Sequence, residues 1–302
     1  MKTKLSPFVH KVKGKRNYFL FDSLKKEYYN MTPEGNPQEL EAQLLENELV
    51  IQTNGVIPFK YKPNIQNYKT SLILKELQLR IGGTCQFHCP DCGKIGKGIK
   101  NEHTISKAEI DTLSGQIGNM IIESLVFMGG NPLTQLDRVE YVKSKIRASS
   151  YKMLLHCNEV IPSDNEKETL DKMGIAVVES ICHTGVIDEQ DFSTDPIHFF
   201  FTQELNACWG NKLAIESDGT IKPCMWSDII LGNINEISVR HLILSGKCDL
   251  YWEMTKDKVE TCKDCEYRYV CPDCRVAAMK ESGNLYGRTS GCSYCVDSGV
   301  WE

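Results

Sequence analysis

One short run constrains this chain more than any other: Thr84-Cys85-Gln86-Phe87-His88-Cys89-Pro90-Asp91-Cys92. It sets three thiols in CxxxCxxC spacing directly after an apolar, alternating stretch, Ile73 to Ile81, that reads as a strand. Three cysteines on one strand-to-helix loop match three irons of a [4Fe–4S] cube, because such cubes are held by cysteine thiolates. The fourth iron is then open to another ligand.

Cysteine usage elsewhere fits metal binding. Fourteen cysteines occur in 302 residues, and nine fall in the last 95. The N-terminus has early lysines but no apolar h-region, so no secretory signal is expected. In a reducing, cytoplasmic setting such cysteines are more often metal ligands than disulfides. No apolar run approaches a membrane span, and no broad basic face is laid out for nucleic acid. Six Lys/Arg crowd the first 16 residues with no acid among them, leaving 29 basic against 40 acidic residues in the rest. That basic arm is a solvated end or a surface for an acidic peptide.

The pattern suggests three domains. Residues 1–66 predict a small N-terminal unit with strands at Phe8–Val12, Tyr18–Asp22 and Glu27–Asn30 and a helix at Pro37–Glu46. Asn54-Gly55 predicts a hairpin between Leu49–Thr53 and Val56–Tyr61, and Pro63-Asn64 a linker. Residues 72–205 alternate strand and helix, which predicts a parallel α/β fold. Strands are expected at 72–81, 123–128, 152–157, 174–181 and 196–202. Helices are expected at 105–119 and 164–173, started by Thr104 and Ser163, and at 133–148 and 186–192. Residues 206–302 abandon the alternation. There Asp218-Gly219 predicts a second hairpin, and the Cys-, Gly- and Asp-rich remainder needs bound metal for its order.

Two further groups carry chemistry. The second strand ends Phe127-Met128-Gly129-Gly130-Asn131-Pro132, where glycines admit a ligand close to the backbone and proline stiffens the exit. A plain turn explains the same residues. C-terminal to it lie Cys208 and Cys224, the pairs Cys262/Cys265 and Cys271/Cys274, and finally Cys292 and Cys295. Eight such cysteines suit two Cys₄ zinc sites as well as iron–sulfur clusters by count. The upstream triplet tips the balance to iron–sulfur, since zinc does not need a three-cysteine site. Cys157, Cys182 and Cys248 stay unassigned, each a candidate for a small buried apolar residue.

With these motifs the chain resembles the radical-SAM/SPASM peptide maturases over roughly residues 72–302. Cys262 to Cys274 and the closing Gly299-Val300-Trp301-Glu302 are closest to SPASM proteins encoded beside ATP-grasp peptide ligases. The resemblance implies a partial (βα) radical-SAM barrel, an N-terminal winged-helix-like peptide-recognition domain and a Cys-rich SPASM domain. It implies that Cys85, Cys89 and Cys92 hold the cluster that binds and cleaves S-adenosyl-L-methionine (SAM). Gly129, Gly130, Asn131, Pro132 and Asn158 would contact SAM. Cys208, Cys224 and Cys274, with Cys295 as an optional fourth, would hold one auxiliary [4Fe–4S] cluster, and Cys262, Cys265, Cys271 and Cys292 a second. The implied activity is radical modification of a ribosomally made precursor peptide, fed by a flavodoxin- or ferredoxin-like electron donor. A non-catalytic partner that presents the precursor to an ATP-grasp ligase is the alternative. Departures from the family are Asp91 in place of an aromatic, Asn131 in place of Glu, five barrel units in place of six, and one residue fewer between Cys271 and Cys274.

Overall fold

The computed structural model describes residues 2–32, 36–57, 59–70, 72–82, 103–155, 161–178 and 187–302. The chain divides into two units, each assembled from separated stretches. Unit 1 comprises Met1–Ile65, Gly185–Ala207 and Thr255–Glu302; unit 2 comprises Gln66–Thr184 and Cys208–Met254.

Unit 1 begins with β1 (Lys2–Leu5), β2 (Val9–Lys13), β3 (Tyr18–Asp22), β4 (Glu27–Met31), α1 (Pro37–Glu46) and β5 (Val50–Thr53). β2, β3 and β4 form an antiparallel meander, whose Val9, Leu20 and Met31 close a small core with Leu49. The expected hairpin at Asn54-Gly55 is not formed. β5 pairs antiparallel with β1 instead, Leu5 opposite Val50, and no strand follows in the described part of 56–61. Pro58 lies within that stretch and brings no N–H to a ladder, which favours the β1 partner.

Unit 2 holds a sheet of seven strands among the described residues, in the order β12-β11-β10-β6-β7-β8-β9. They are β6 (Ile73–Gly82), β7 (Ile121–Gly129), β8 (Ser150–Leu154), β9 (Ile175–Val178), β10 (Lys212–Ile215), β11 (Thr220–Lys222) and β12 (Gly232–Asn233). β10, β6, β7, β8 and β9 run parallel, which makes this the expected partial barrel. β6 and β7 are buried over most of their length, as parallel strands covered on both faces must be. The helices between them are α2 (Lys107–Ile117), α3 (Leu136–Lys145) and α4 (Asp164–Lys172). Ser163 caps α4 through a reciprocal box with Glu166. In α2 the box is built by Ser106 with Glu109, not by Thr104. Ser106 sits three residues before Glu109, the spacing that closes the reciprocal pair.

The fifth parallel strand comes from an unexpected place. Residues 196–202 were expected to supply it, but Pro196–Phe201 is a helix, α5, belonging to unit 1. The Asp195 side chain accepts the Ile197 N–H at 3.1 Å and Pro196 opens the first turn, a pair of helix-start signals that outweighs the strand preference of the phenylalanines. β10 takes the place on the other side of β6. It also makes the expected hairpin with β11 across Asp218-Gly219, with Gly219 at φ +83°. The helix expected at 186–192 is a single 3₁₀ turn, Glu189–Asp191. Unit 1 ends with α6 (Arg275–Ser282) and the short pair β13 (Tyr294–Cys295) and β14 (Val300–Trp301).

Candidate metal centres

In unit 2 the candidate SAM residues follow the C-terminal ends of parallel strands, where ligands meet such sheets. Gly82 ends β6 and pairs in register with Gly129 at the end of β7. A Cβ on Gly129 would lie 2.6 Å from the Gly82 carbonyl oxygen, and Gly82 itself has φ +138° against Thr104. Neither position tolerates a side chain. Beyond them Asn131 turns its side chain onto its own loop: Oδ1 accepts the Leu133 N–H at 3.1 Å, and Thr134 Oγ1 donates to the Asn131 carbonyl at 2.8 Å. Pro132 opens the following 3₁₀ turn. The plain-turn explanation is therefore satisfied in full, whatever else these residues contact. Cys85, Cys89 and Cys92 follow β6, and Cys157 and Asn158 follow β8; these, with Cys182, lie outside the described residues.

Cys208 and Cys224 also belong to unit 2, and a chain of polar contacts runs between them. Lys212 Nζ donates to Cys208 Sγ at 3.3 Å and lies 3.3 Å from Glu76 Oε1. Gln78 Nε2 donates to Glu76 Oε1 at 2.8 Å, and Gln78 Oε1 accepts the N–H of Met225, next to Cys224, at 2.8 Å. Glu76 and Gln78 stand two apart on β6, so they share a face of the strand. Burial works against the Glu76 charge, but Lys212 and the Gln78 hydrogen bond reverse this and hold its carboxyl below the usual value. Cys248 is fully buried, and burial pushes its thiol up to about 12. That is the small apolar residue expected of it.

The remaining six cysteines belong to unit 1. Burial raises the thiols of Cys262, Cys265 and Cys271, the last to about 11. Cys292 acts electrostatically on both Cys262 and Cys271, Cys262 acts on Cys271, and Cys265 feels both Cys271 and Cys262. Lys256, 8% exposed, donates from Nζ to Cys271 Sγ at 3.3 Å. Burial alone would lower the pKa of Lys256; Cys271, Cys262 and Asp273 overcome it and push the value up. Asp273 is held by Arg275 at 2.6 and 3.0 Å and by Asn206 Nδ2 at 2.7 Å. Cys274 caps α6, its Sγ accepting the Ala277 N–H at 3.4 Å. Cys295 stands apart on β13: Ser298, through its hydroxyl and its backbone, lowers the Cys295 thiol pKa.

Among the described residues no three His, Cys, Asp or Glu side chains gather as ligands of one metal ion do. The unit 1 cysteines still fit a cluster in their chemistry. The donors are thiols alone, the soft set that iron–sulfur cores take, and Lys256 places positive charge where thiolate charge would develop. The pairs Cys262/Cys265 and Cys271/Cys274 stand out in the sequence by their spacing, whereas the grouping of Cys262, Cys265, Cys271 and Cys292 comes from the resemblance. Lys212, Glu76, Gln78, Lys256 and Asp273 do not stand out, because an isolated lysine or carboxylate reads as a solvated side chain. A weak signal existed in Lys212, which opens the apolar strand Leu213-Ala214-Ile215.

A 4Fe–4S single cluster domain model matches residues 77–177, a span that takes in Cys85, Cys89 and Cys92. The SPASM model, an iron–sulfur cluster-binding domain, matches residues 208–266 and takes in Cys208, Cys224, Cys262 and Cys265. No curated protein matches the chain in sequence. Solved structures with a similar course of chain include anSMEcpe with bound AdoMet, at 11% identity and TM-score 0.45, over 70% of this chain and 94% of that one. Streptococcus suis SuiB bound to its precursor peptide SuiA is similar at 11% identity and TM-score 0.40, over 96% of this chain and 100% of that one. BtrN in complex with AdoMet and 2-DOIA is similar at 11% identity and TM-score 0.37, over 66% and 98% respectively. The chain thus carries a stretch that matches a 4Fe–4S single cluster domain, followed by one that matches the SPASM iron–sulfur cluster-binding domain.

Proposed function

We propose that this chain is a radical-SAM enzyme that installs a thioether, C–C or related crosslink in a ribosomally made precursor peptide. The observation that carries the reading is the order of the two matched domains along the chain, each laid over cysteines in the spacing its cluster requires. Cys85, Cys89 and Cys92 would hold the SAM-binding cluster. Cys262, Cys265, Cys271 and Cys292 would hold one auxiliary cluster; Cys208, Cys224, Cys274 and, optionally, Cys295 are the ligands assigned to the other. Bound there, the first cluster would supply the electron that cleaves SAM to methionine and a deoxyadenosyl radical.

The chain's own part is placement. Gly129 and Gly130 keep the end of β7 free of side chains, so a ligand can reach the backbone N–H and C=O groups. Asn131 and Pro132 fix the exit of that loop, and Asn158 is the assigned ribose contact. The exposed lysines of β1 and β2, Lys2, Lys11 and Lys13, would receive an acidic stretch of the peptide, and a flavodoxin or ferredoxin would be the electron donor.

A second reading has one observation in its favour. Asn131 spends its side-chain oxygen on the Leu133 N–H, so it adds no carboxylate where the family supplies one. On that reading the chain presents the precursor to an ATP-grasp ligase without cleaving SAM. Anaerobic reconstitution with SAM and dithionite separates the two. Release of 5′-deoxyadenosine is expected; a fully loaded protein that releases none is the presenting partner. The eleven cysteines of the assigned sets predict about three [4Fe–4S] clusters per chain and little zinc. Elemental analysis that finds zinc with almost no iron or sulfide overturns both readings.

A further inference from the structure

Each auxiliary ligand set has a buried lysine aimed at one of its sulfurs. Lys212 and Lys256 are 6% and 8% exposed, and each ammonium lies 3.3 Å from a cysteine sulfur, of Cys208 and Cys271 respectively. A buried ammonium is costly unless a negative partner meets it. Lys212 has such a partner in Glu76. For Lys256 the hydrogen-bond acceptor that the described residues offer is the sulfur itself, while Asp273 is engaged by Arg275 and Asn206. A neutral thiol is a poor acceptor for that charge, and a metal-bound thiolate is a good one.

We propose that Lys212 and Lys256 set the reduction potentials of the auxiliary clusters. Each ammonium stabilises the additional negative charge present after one-electron reduction, and Lys256 acts more strongly than Lys212. The inference rests on the reading of Cys208 and Cys271 as cluster ligands. Cluster potentials follow net charge, hydrogen bonds to sulfur and exposure to solvent. A buried lysine bonded to a ligand sulfur supplies the first two together and shields the third. Glu76 offsets part of the Lys212 charge, which is the reason for the ranking. Glu266, 1% exposed, acts on Cys265 with the opposite sign and provides a control. Clusters poised in this way are suited to accepting electrons rather than delivering them at low potential.

The test is a potentiometric titration of the full chain, purified anaerobically and loaded with clusters, followed by electron paramagnetic resonance. The background Cys85→Ala, Cys89→Ala, Cys92→Ala leaves the auxiliary signals alone in the spectrum. Lys256→Met keeps the stem and removes the charge. It should lower the reduced-to-oxidised ratio of one cluster at least tenfold at a given potential, a shift of 59 mV or more for a one-electron couple. Lys212→Met should lower the ratio of the other cluster by a smaller factor. Lys256→Arg should restore most of the parent value, and Glu266→Gln should shift it the other way. Unchanged potentials in both methionine variants, at full iron and sulfide content, overturn the inference and leave the proposed function standing. If Lys256→Met fails to assemble, Lys212→Met and Glu266→Gln decide, and two unmoved potentials overturn it. Absence of auxiliary iron in the unsubstituted chain overturns this inference and the proposed function together.

Discussion

His10 shows how far a single side chain can be carried from its ordinary behaviour in unit 1. Its ring packs edge-on against Phe200 at 4.8 Å and near Phe199 at 5.8 Å, with Ser23 Oγ 3.4 Å from Nε2. Burial first, and the Lys60 charge second, lower its pKa from 6.5 to about 4, against a smaller opposing effect of Asp22. Between those values the unfolded chain binds the proton and the folded chain does not. Stability is therefore complete above pH 6.5 and falls as the pH drops, by roughly 1 kcal/mol at pH 5.5 and about 3 kcal/mol below pH 4. Urea midpoints at pH 7.5 and 5.5 should show the loss, and His10→Gln should flatten it; equal slopes in the two proteins refute the account. The cysteines divide in the same way. Cys271→Ala should cost one cluster's iron, whereas Cys295→Ala should keep it, and iodoacetamide should label Cys295 ahead of Cys262 and Cys271. The spacing of these thiols could be read directly from the sequence. The burial of Lys212 and Lys256 could not, because it depends on contacts between residues far apart in sequence, as in Lys212 with Glu76.

Among the elements, β6 was legible by its alternation from Ile73 to Ile81, and β7 because a buried parallel strand is a nearly unbroken apolar run. α5 was misread for the same reason: Phe199-Phe200-Phe201 looks like such a run, and its Asp195-Pro196 start is only two residues long. The hairpin at Asn54-Gly55 failed because a turn signal describes local preference, while the partner of β5 lies more than forty residues upstream in β1. The paired strand ends at Gly82 and Gly129 give a prediction at this scale. Gly129→Ala drives a methyl group against the Gly82 carbonyl. It should cost about 1–3 kcal/mol in denaturant melts and reduce 5′-deoxyadenosine release more than Gly115→Ala does. Gly115 has nothing within 4 Å of an added Cβ, so it controls for replacing a glycine without a clash. Equal behaviour of the two variants would show that the β7 end has room to move.

At the scale of the whole molecule, unit 1 ties its earliest residues to its last. Lys15 donates from its backbone to the Asp264 carbonyl at 2.8 Å, Arg268 Nη1 to Lys13 O at 2.9 Å, and Asn17 Nδ2 to Gly299 O at 3.1 Å. Arg16 reaches the Asp297 carbonyl at 2.9 Å, and Lys15 pairs with the Asp297 side chain. Removal of iron should therefore speed amide exchange in β2–β4 as well as in residues 255–302. Exchange confined to the second stretch would mean that β2–β4 hold without it. The same ties bear on synthesis. At ordinary translation rates roughly ten to fifty seconds separate the appearance of residue 65 from that of residue 302. For that interval the N-terminal strands lack the partners that complete their unit, whereas unit 2 has all its residues by Met254. A ribosome would thus release the barrel portion ready to fold while residues 1–65 still wait, exposed to chaperones, for the cysteine-rich stretch that follows it.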